Sequence, residues 1–352
     1  RILNFSAGPA VMPEPVLERI REDVWNIDGS GIGVLEHSHR GTVIDRVFDE
    51  ATDRCRRIAG LGDDHEILFL QGGASMQFGM IPMNFLPEDG IADYPDTGTW
   101  TTKAIKEARK FGNVNVAFDG SACGYDHCPS PQELATTPGA AYFHYCSNNT
   151  IYGTRYASPP ISDAPLVCDA SSEMFGRPWT HCDHAIVYAG AQKNLGPSGV
   201  ALVIIRKDML ERSCRETIDL LDYRKQVAQG SRLNTPPVFG VYCMGLVFEW
   251  ILEMGGLEGM AVRNAAKAKT LYDAIDGSGG FYRGHAVTEN RSEMNVTFRL
   301  PDEDLEKKFV GEAGAAGMSG LKGHRSVGGI RASIYNAFPP AGCKRLASFM
   351  NE

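Results

Sequence analysis

The chain predicts an α/β fold, with a large, mostly parallel sheet covered on both faces and a smaller α+β domain behind it. Three observations carry this reading. Short apolar runs at 66–70, 113–118, 140–145, 166–168, 185–188 and 200–205 are continuous rather than alternating, and helical stretches fall between several of them. Strands read this way when neither face meets water. At 352 residues the chain is longer than a single core usually supports, which is roughly 250–300. After Arg232 the texture shifts, through a loop at Asn234-Thr235-Pro236-Pro237, an apolar stretch over 238–254 and a break at Gly255-Gly256. The expected division is a large domain over 15–255 and a small C-terminal domain over 256–352, joined by an N-terminal arm of residues 1–14.

The elements follow in order. Ser6-Ala7-Gly8-Pro9-Ala10 is a loop. Pro13-Glu14-Pro15 opens a helix, since proline suits a first turn whose N–H groups have no partner. Val16, Leu17, Ile20 and Val24 then share one face. A second helix spans 43–59 and is closed by Gly60. The strand at 66–70 runs into Gly72-Gly73-Ala74-Ser75 and a third helix. Past the sheet, the apolar stretch 238–254 reads as a buried helix and 257–275 as a more polar one. Two strands, 294–299 and 329–334, flank a glycine- and alanine-rich helical region.

Bulk composition narrows the function. Hydrophobic residues make up 43%, enough for a sizeable core, and 35 basic against 43 acidic residues leave a net charge of −8. That balance argues against nonspecific nucleic-acid or anionic-membrane binding, so an anionic substrate requires a local basic cluster. Nine cysteines, an odd number with no Cys-x-x-Cys, read as reduced thiols in a cytoplasmic protein. No apolar stretch reaches the ~18 residues of a membrane span, and Arg1–Phe5 lacks the features of a signal peptide. The absent initiator methionine reads as a trimmed or partial chain.

Lys193 lies in a small-residue segment, Ala189-Gly190-Ala191-Gln192-Lys193-Asn194-Leu195-Gly196-Pro197, and Asp169 ends the apolar run 165–168, 24 residues upstream. A lysine there suits an imine with an aldehyde, and a carboxylate at a strand end suits a cationic ring nitrogen. Together they point to pyridoxal phosphate (PLP) chemistry. Gly72-Gly73-Ala74-Ser75, between a strand and a helix, suits a phosphate, although an ordinary tight turn has the same composition. Trp100, read as lying in a loop, suits stacking on a flat ring, and Thr150 suits a bond to a ring hydroxyl. Two Gly-flanked pairs, His39-Arg40 and His324-Arg325, suit phosphate or carboxylate. His37-x-His39, His181-Cys182-Asp183-His184 and Cys123-x4-Cys128 lack the spacing of a zinc site, so no metal is expected. Neither a hydrolase nucleophile elbow nor a Gly-Lys-Ser/Thr phosphate loop is present.

The segments Asn4–Ala10, Ser38–Gly41, Gly72–Phe78, Asn148–Gly153, Gly190–Pro197, Asn234–Pro237, Arg291–Val296 and Gly323–Ala337 span nearly the whole chain. On these the sequence resembles the phosphoserine aminotransferases, fold-type I PLP enzymes of the class V aminotransferase group. The resemblance implies that Lys193 is the Schiff-base lysine and Asp169 the pyridinium partner. It gives Trp100 the ring stack and Thr150 the ring hydroxyl, and makes Ala74, Ser75 and Gln192 ligands of the cofactor phosphate. Asn234 and Thr235 resemble the pair that reaches that phosphate from a neighbouring subunit, which implies a homodimer. Arg331 resembles the α-carboxylate clamp, and His39, Arg40, His324 and Arg325 the site for the substrate phosphate or side-chain carboxylate. The implied reaction moves an amino group between O-phospho-L-serine with 2-oxoglutarate and 3-phosphohydroxypyruvate with L-glutamate, in serine biosynthesis. A related class V transaminase, such as a serine–glyoxylate type, is the second reading; activity on alanine but not phosphoserine separates the two. A cysteine desulfurase is disfavoured because no cysteine-bearing mobile loop stands out, and a non-catalytic scaffold needs neither Asp169 nor Lys193. The chain departs from the pattern at Ser75, where some members carry arginine, and at Ala170 and Gly176, where Met or Ser is expected.

Overall fold

The computed structural model describes all 352 residues. In chain order, β1 (Leu3–Asn4), α1 (Glu14–Asn26) and α2 (Thr42–Ala59) precede β2 (His65–Gly72), α3 (Ala74–Phe85), β3 (Ile91–Asp96), α4 (Thr99–Ala108) and β4 (Asn113–Asp119). Next come β5 (Phe143–Cys146), the two-residue strands β6 (Asn148–Asn149) and β7 (Thr154–Arg155), β8 (Leu166–Asp169), β9 (Ile186–Gly190) and β10 (Gly199–Arg206). Short helices α5 (Lys207–Glu211) and α6 (Tyr223–Ala228) lead to α7 (Val238–Glu253) and α8 (Gly256–Asp276). The C-terminal part contains β11 (Arg283–Gly284), β12 (Asn295–Arg299), α9 (Glu303–Ala315), β13 (Met318–Ser319), β14 (Ile330–Ser333) and α10 (Pro340–Asn351).

The large sheet has seven strands in the order β2-β10-β9-β8-β5-β3-β4. Only β10 runs antiparallel to its neighbours, so the sheet is mostly parallel as expected. One core, from α1, α2 and α7, covers one face, and a second, from α3 and α4, covers the other. This two-sided cover is why the strands are apolar throughout. β3 escapes the sequence reading because Asp93, Pro95 and Asp96 interrupt its apolar pattern. Asp93 is nonetheless fully buried, because it accepts from Asn115 Nδ2 at 2.8 Å and the Thr137 N–H at 2.7 Å. Pro95 falls where the β3–β4 register shifts, so its missing N–H breaks no regular ladder.

Helix α1 corrects one expectation. Val16 is buried, but Val24 is 38% exposed, and Asp23 turns inward instead. Asp23 accepts from the Tyr242 hydroxyl of α7 and from Arg19 Nε at 2.5 Å, and these bonds offset the cost of burying the carboxylate.

A third core gathers Phe5 with residues of α8, β12, α9, β14 and α10. Its antiparallel sheet has the order β11-β12-β14, and β1 pairs in parallel with β13, tying the N-terminal arm to this region. Met260, in the first turns of α8, belongs to the large-domain core. A buried polar network joins the parts. Asn148 Nδ2 donates to Ser172 Oγ at 2.8 Å and to Asn295 Oδ1 at 2.9 Å, and its Oδ1 accepts from the Ser292 hydroxyl at 2.5 Å. Asn295 Nδ2 continues to Ser333 Oγ at 2.9 Å and to the Tyr335 hydroxyl at 3.2 Å. Tyr335 in turn donates to the Ala7 carbonyl at 2.7 Å. All nine cysteines are unpaired, and no single helix is long and apolar enough to cross a membrane.

Candidate active site

The parallel strands β2, β3, β5, β8 and β9 end at one edge of the sheet, and the loops beyond these ends carry the chemistry, as expected for an open α/β sheet. Asp169 is the last residue of β8 and is 4% exposed. Its Oδ1 accepts from the Ser171 N–H at 3.0 Å and the Ser171 hydroxyl at 2.6 Å, while Ser171 Oγ accepts from the Gly190 N–H at 3.0 Å. The carboxylate is thereby fixed by its own turn, and that turn is fixed to the strand that leads to Lys193. Below it, Tyr188 bonds His144 Nε2 at 2.8 Å. Burial pushes the His144 imidazole down to about 3, so this ring is neutral and adds no charge beneath Asp169.

Lys193 follows β9 in a turn that its neighbours hold. Asn194 Nδ2 donates to the Met174 carbonyl at 2.7 Å, and its Oδ1 accepts from the Asn336 N–H at 3.0 Å. The arm crosses above: the Ala10 N–H donates to the Gln192 carbonyl at 2.9 Å, and a Cβ on Gly8 would lie 3.4 Å from Lys193 Cγ. Lys193 Nζ stands 5.2 Å from the centroid of the Trp100 ring. Burial lowers its pKa, Asp169 and Cys146 oppose that shift, and Arg331 adds to it. An amine with a lowered pKa in a cleft is poised to act as base or nucleophile.

Trp100 lies in the first turn of α4, not in a loop as expected from the sequence. Its Nε1 donates to Thr150 Oγ1 at 3.0 Å, and Arg331 Nη1 donates to the Thr150 carbonyl at 3.0 Å. Thr150 therefore ties the indole of α4 to the guanidinium of β14. Arg331 Nε is buried with no acceptor in the chain. A buried donor without a partner is costly, and a carboxylate in the cleft would satisfy it.

The start of α3 has the form of an anion cradle. Gly73 at the N-cap has no side chain to cap the helix, so the first N–H groups point outward at its positive end. A Cβ on Gly190 would come 2.8 Å from Gln192 Oε1 and 3.3 Å from the Ala74 nitrogen, so the Gln192 side chain and the Ala74 N–H converge beside this residue and a larger side chain would displace the Gln192 amide. A phosphate meets donors here, a lysine lies nearby, and a buried carboxylate stands at the next strand end. These residues fit PLP.

A second cationic group lines the mouth. Burial lowers the His324 pKa, and Arg331, Arg325 and Lys103 lower it further, placing the four groups within electrostatic reach. Lys103 Nζ also stands 4.7 Å from the Trp100 ring centroid. The sequence reading missed Lys103, although its i+3 spacing from Trp100 on a helix was a signal. It also missed Ser171, which the Asp-x-Ser spacing of an Asx-type turn announces.

Other expected residues stand apart within the single chain. Ser75 is exposed. Asn234 and Thr235 are also exposed, on a loop held by Gln71 Nε2, which donates to Asn234 Oδ1 at 3.1 Å and to the Thr235 carbonyl at 2.9 Å. His39 and Arg40 lie in the loop before α2, where Ser38 Oγ accepts from the Arg40 N–H at 3.3 Å. Asp45 of α2 pairs with Arg232, setting this loop's helix against the segment that carries Asn234 and Thr235. At the departure Gly176, a Cβ would come 3.0 Å from the Glu173 carbonyl and would push the tip of Met294 aside.

The family model described as Aminotransferase class-V matches residues 2–346. A phosphoserine aminotransferase of Herpetosiphon aurantiacus is 50% identical over 350 residues, covering 99% of this chain and 97% of that protein. The solved phosphoserine aminotransferase from Bacillus circulans subsp. alkalophilus superposes with a TM-score of 0.97 at 47% identity, covering 100% of this chain and 98% of that one. The PLP-bound phosphoserine aminotransferase from Trichomonas vaginalis gives a TM-score of 0.95 at 40% identity, covering both chains fully, at 100% each.

Proposed function

The chain belongs to the class-V aminotransferases, and from that membership we propose the following roles for its residues in amino transfer. It is a PLP-dependent phosphoserine aminotransferase, exchanging an amino group between O-phospho-L-serine and 2-oxoglutarate in serine biosynthesis. The observation that carries the site assignment is Lys193 Nζ facing Trp100, 5.2 Å from its ring centroid, in a cleft where Asp169 ends the adjacent strand.

Lys193 would hold PLP through Nζ, Trp100 would cover its ring, and Asp169 would stand at its ring nitrogen. Ala74, Ser75 and Gln192 would take its phosphate, and Thr150 its ring hydroxyl. Bound PLP supplies an electron sink for the charge left at a substrate α-carbon when its proton departs. Asp169, fixed by Ser171, would favour a proton on the ring nitrogen. Lys193 Nζ, its pKa lowered by burial, would be the group that takes and returns the proton at substrate Cα. Arg331 orients the α-carboxylate through the edge that includes its unpartnered Nε. Lys103, His324 and Arg325 attract the distal phosphate or carboxylate, which lets one pocket serve both half-reactions of a ping-pong exchange.

The remaining residues imply a second copy. Asn234, Thr235 and Arg40 are exposed on their own chain and His39 is half-buried, and we place all four in the partner's site of a homodimer. The domain division near Gly255-Gly256 and a cytoplasmic location are further parts of this reading. The test is spectroscopic. Purified protein should be yellow, lose that colour with phosphoserine and regain it with 2-oxoglutarate. Borohydride reduction followed by peptide mapping should label Lys193. Protein that never takes up the coenzyme, or a label elsewhere, ends the assignment.

A further inference from the structure

One cluster outside the transfer site has no part in this chemistry. After β4 the chain makes a 3-10 turn at Gly120–Cys123, and the loop then brings Cys123 Sγ, an Asp126 carboxylate oxygen and a His127 ring nitrogen within 4.8 Å of one another. All three residues are half-buried. Cys128, whose spacing from Cys123 does not suit a zinc site, is turned into the large core and is 7% exposed. The fold therefore replaces an unpromising pair of thiols with a thiol, a carboxylate and an imidazole.

The surroundings of His127 single this cluster out. One ring nitrogen, Nδ1, lies 2.7 Å from Asp126 Oδ1, and the other, Nε2, lies 3.2 Å from Glu133 Oε1. Glu133 is itself anchored, since its Oε2 accepts from the Ser130 N–H and the Ser130 hydroxyl, each at 2.8 Å. Metal-binding imidazoles almost always donate the second nitrogen's N–H to a carboxylate, a backbone carbonyl or water, which fixes tautomer and ring orientation; here the partner is a carboxylate. A sulfur, nitrogen and oxygen donor set suits Zn2+, whereas Mg2+ and Ca2+ take oxygen donors. Tetrahedral Zn2+ with bonds of about 2.0–2.3 Å needs donor atoms about 3.4–3.6 Å apart. The three donors, within 4.8 Å of one another, reach that geometry by side-chain rotations of about an ångström that draw the outlying donor inward and open the 2.7 Å Asp126–His127 contact.

We propose that Cys123, Asp126 and His127 bind one Zn2+ per chain, with Glu133 holding His127 and water in the fourth position. The site's place in the fold gives it a role. The Asp126 carbonyl accepts from the Val287 N–H at 3.0 Å, and the Gly124 carbonyl faces His285 Nε2 at 3.0 Å, so this loop bridges to the small domain. Tyr125, between the ligands, packs against Tyr152 at 4.8 Å between ring centroids. Tyr125, Tyr152 and His285 line a cleft shared with Arg331. A cation here clamps one wall of that cleft to the small domain, as a structural centre rather than a hydrolytic one.

The test uses Co2+ as a spectroscopic stand-in on chelator-stripped holoenzyme. One Co2+ should bind per chain with a thiolate-to-cobalt charge-transfer band. Cys123→Ser and His127→Ala should abolish the band, whereas Cys182→Ser, at an exposed thiol elsewhere, should leave it intact. Glu133→Gln should keep the band and weaken binding roughly 10–100-fold. The coenzyme's own absorption shows that each variant is folded. Failure to bind Co2+, a band that persists in both Cys123→Ser and His127→Ala, or one lost in Cys182→Ser overturns the proposal.

Discussion

Replacing Asn148 by leucine tests whether the buried network holds the two domains together. Asn148 is 1% exposed and makes three side-chain bonds, to Ser172, Asn295 and Ser292. Leucine preserves most of the volume and removes all three. Their losses are unequal. Ser172 Oγ still donates to the Asn148 carbonyl at 2.7 Å, and Ser292 Oγ still accepts from the Met294 and Asn295 N–H groups. Asn295 Oδ1 loses its only donor inside the protein. A stranded buried acceptor costs about 1–3 kcal/mol, and the unpaired Ser292 hydroxyl adds about 1 kcal/mol, so Asn148→Leu should destabilise by roughly 2–4 kcal/mol. Equilibrium urea unfolding of Asn148→Leu, Asn295→Leu and the double variant measures this directly. Both single changes break the same bond, so the double variant should cost at least ~0.5 kcal/mol less than their sum. Additive costs, or a single-variant loss below about 0.5 kcal/mol, would refute the view that this network couples the domains.

Lys193→Ala should bind coenzyme without the covalent link and lose transfer by several orders of magnitude, measured by stopped-flow with phosphoserine; near-normal turnover refutes the role. Arg331→Lys should raise KM for both amino donors about 10-fold or more, because a lysine cannot supply the bidentate edge; an unchanged KM counts against the clamp. Lys267, 1% exposed, donates through Nζ to the Ile334 carbonyl at 2.7 Å and the Tyr335 carbonyl at 2.5 Å, and burial lowers its pKa from 10.5 to about 7. Between those values the unfolded chain holds a proton that the folded chain has released, so stability rises with pH from about 7 and levels off near 10.5. Lys267→Met should flatten that rise by at most about 1.4 kcal/mol per pH unit, since the two carbonyls favour the ammonium and oppose burial. Parallel urea-midpoint profiles for the two proteins across that range would refute this.

Much of the sheet is legible in the sequence because strands hidden on both faces must be apolar along their whole length. The failures have a common physical cause. β3 carries a buried aspartate that is tolerable only because Asn115 and the Thr137 backbone reach it, and those residues are distant in sequence. Asp23 displaced Val24 from the core face of α1 for the same reason, through Tyr242 on α7. Coenzyme chemistry narrows residue type enough to single out Lys193, Asp169 and Trp100 in the sequence, and the fold brings Lys193 Nζ to 5.2 Å from the Trp100 ring centroid. The segments that flank them were read through resemblance, and their geometry then supplied the reasons: Gly190 makes room beside Gln192, and Thr150 joins Trp100 to Arg331. Ser171 and Lys103 had local signals in their spacing. Asn148 had none, because the worth of a buried amide depends on partners that only the folded chain assembles.

The arm that crosses Lys193 has a consequence for biosynthesis. Leu3 pairs with Met318 and Tyr335 bonds the Ala7 carbonyl, so this segment settles only after more than three hundred further residues have been made. Until then the ledge over the coenzyme is missing from a nascent chain whose sheet is otherwise complete. Loading of the vitamin-derived group should therefore follow emergence of the Met318–Tyr335 stretch, with the arm among the last segments to dock.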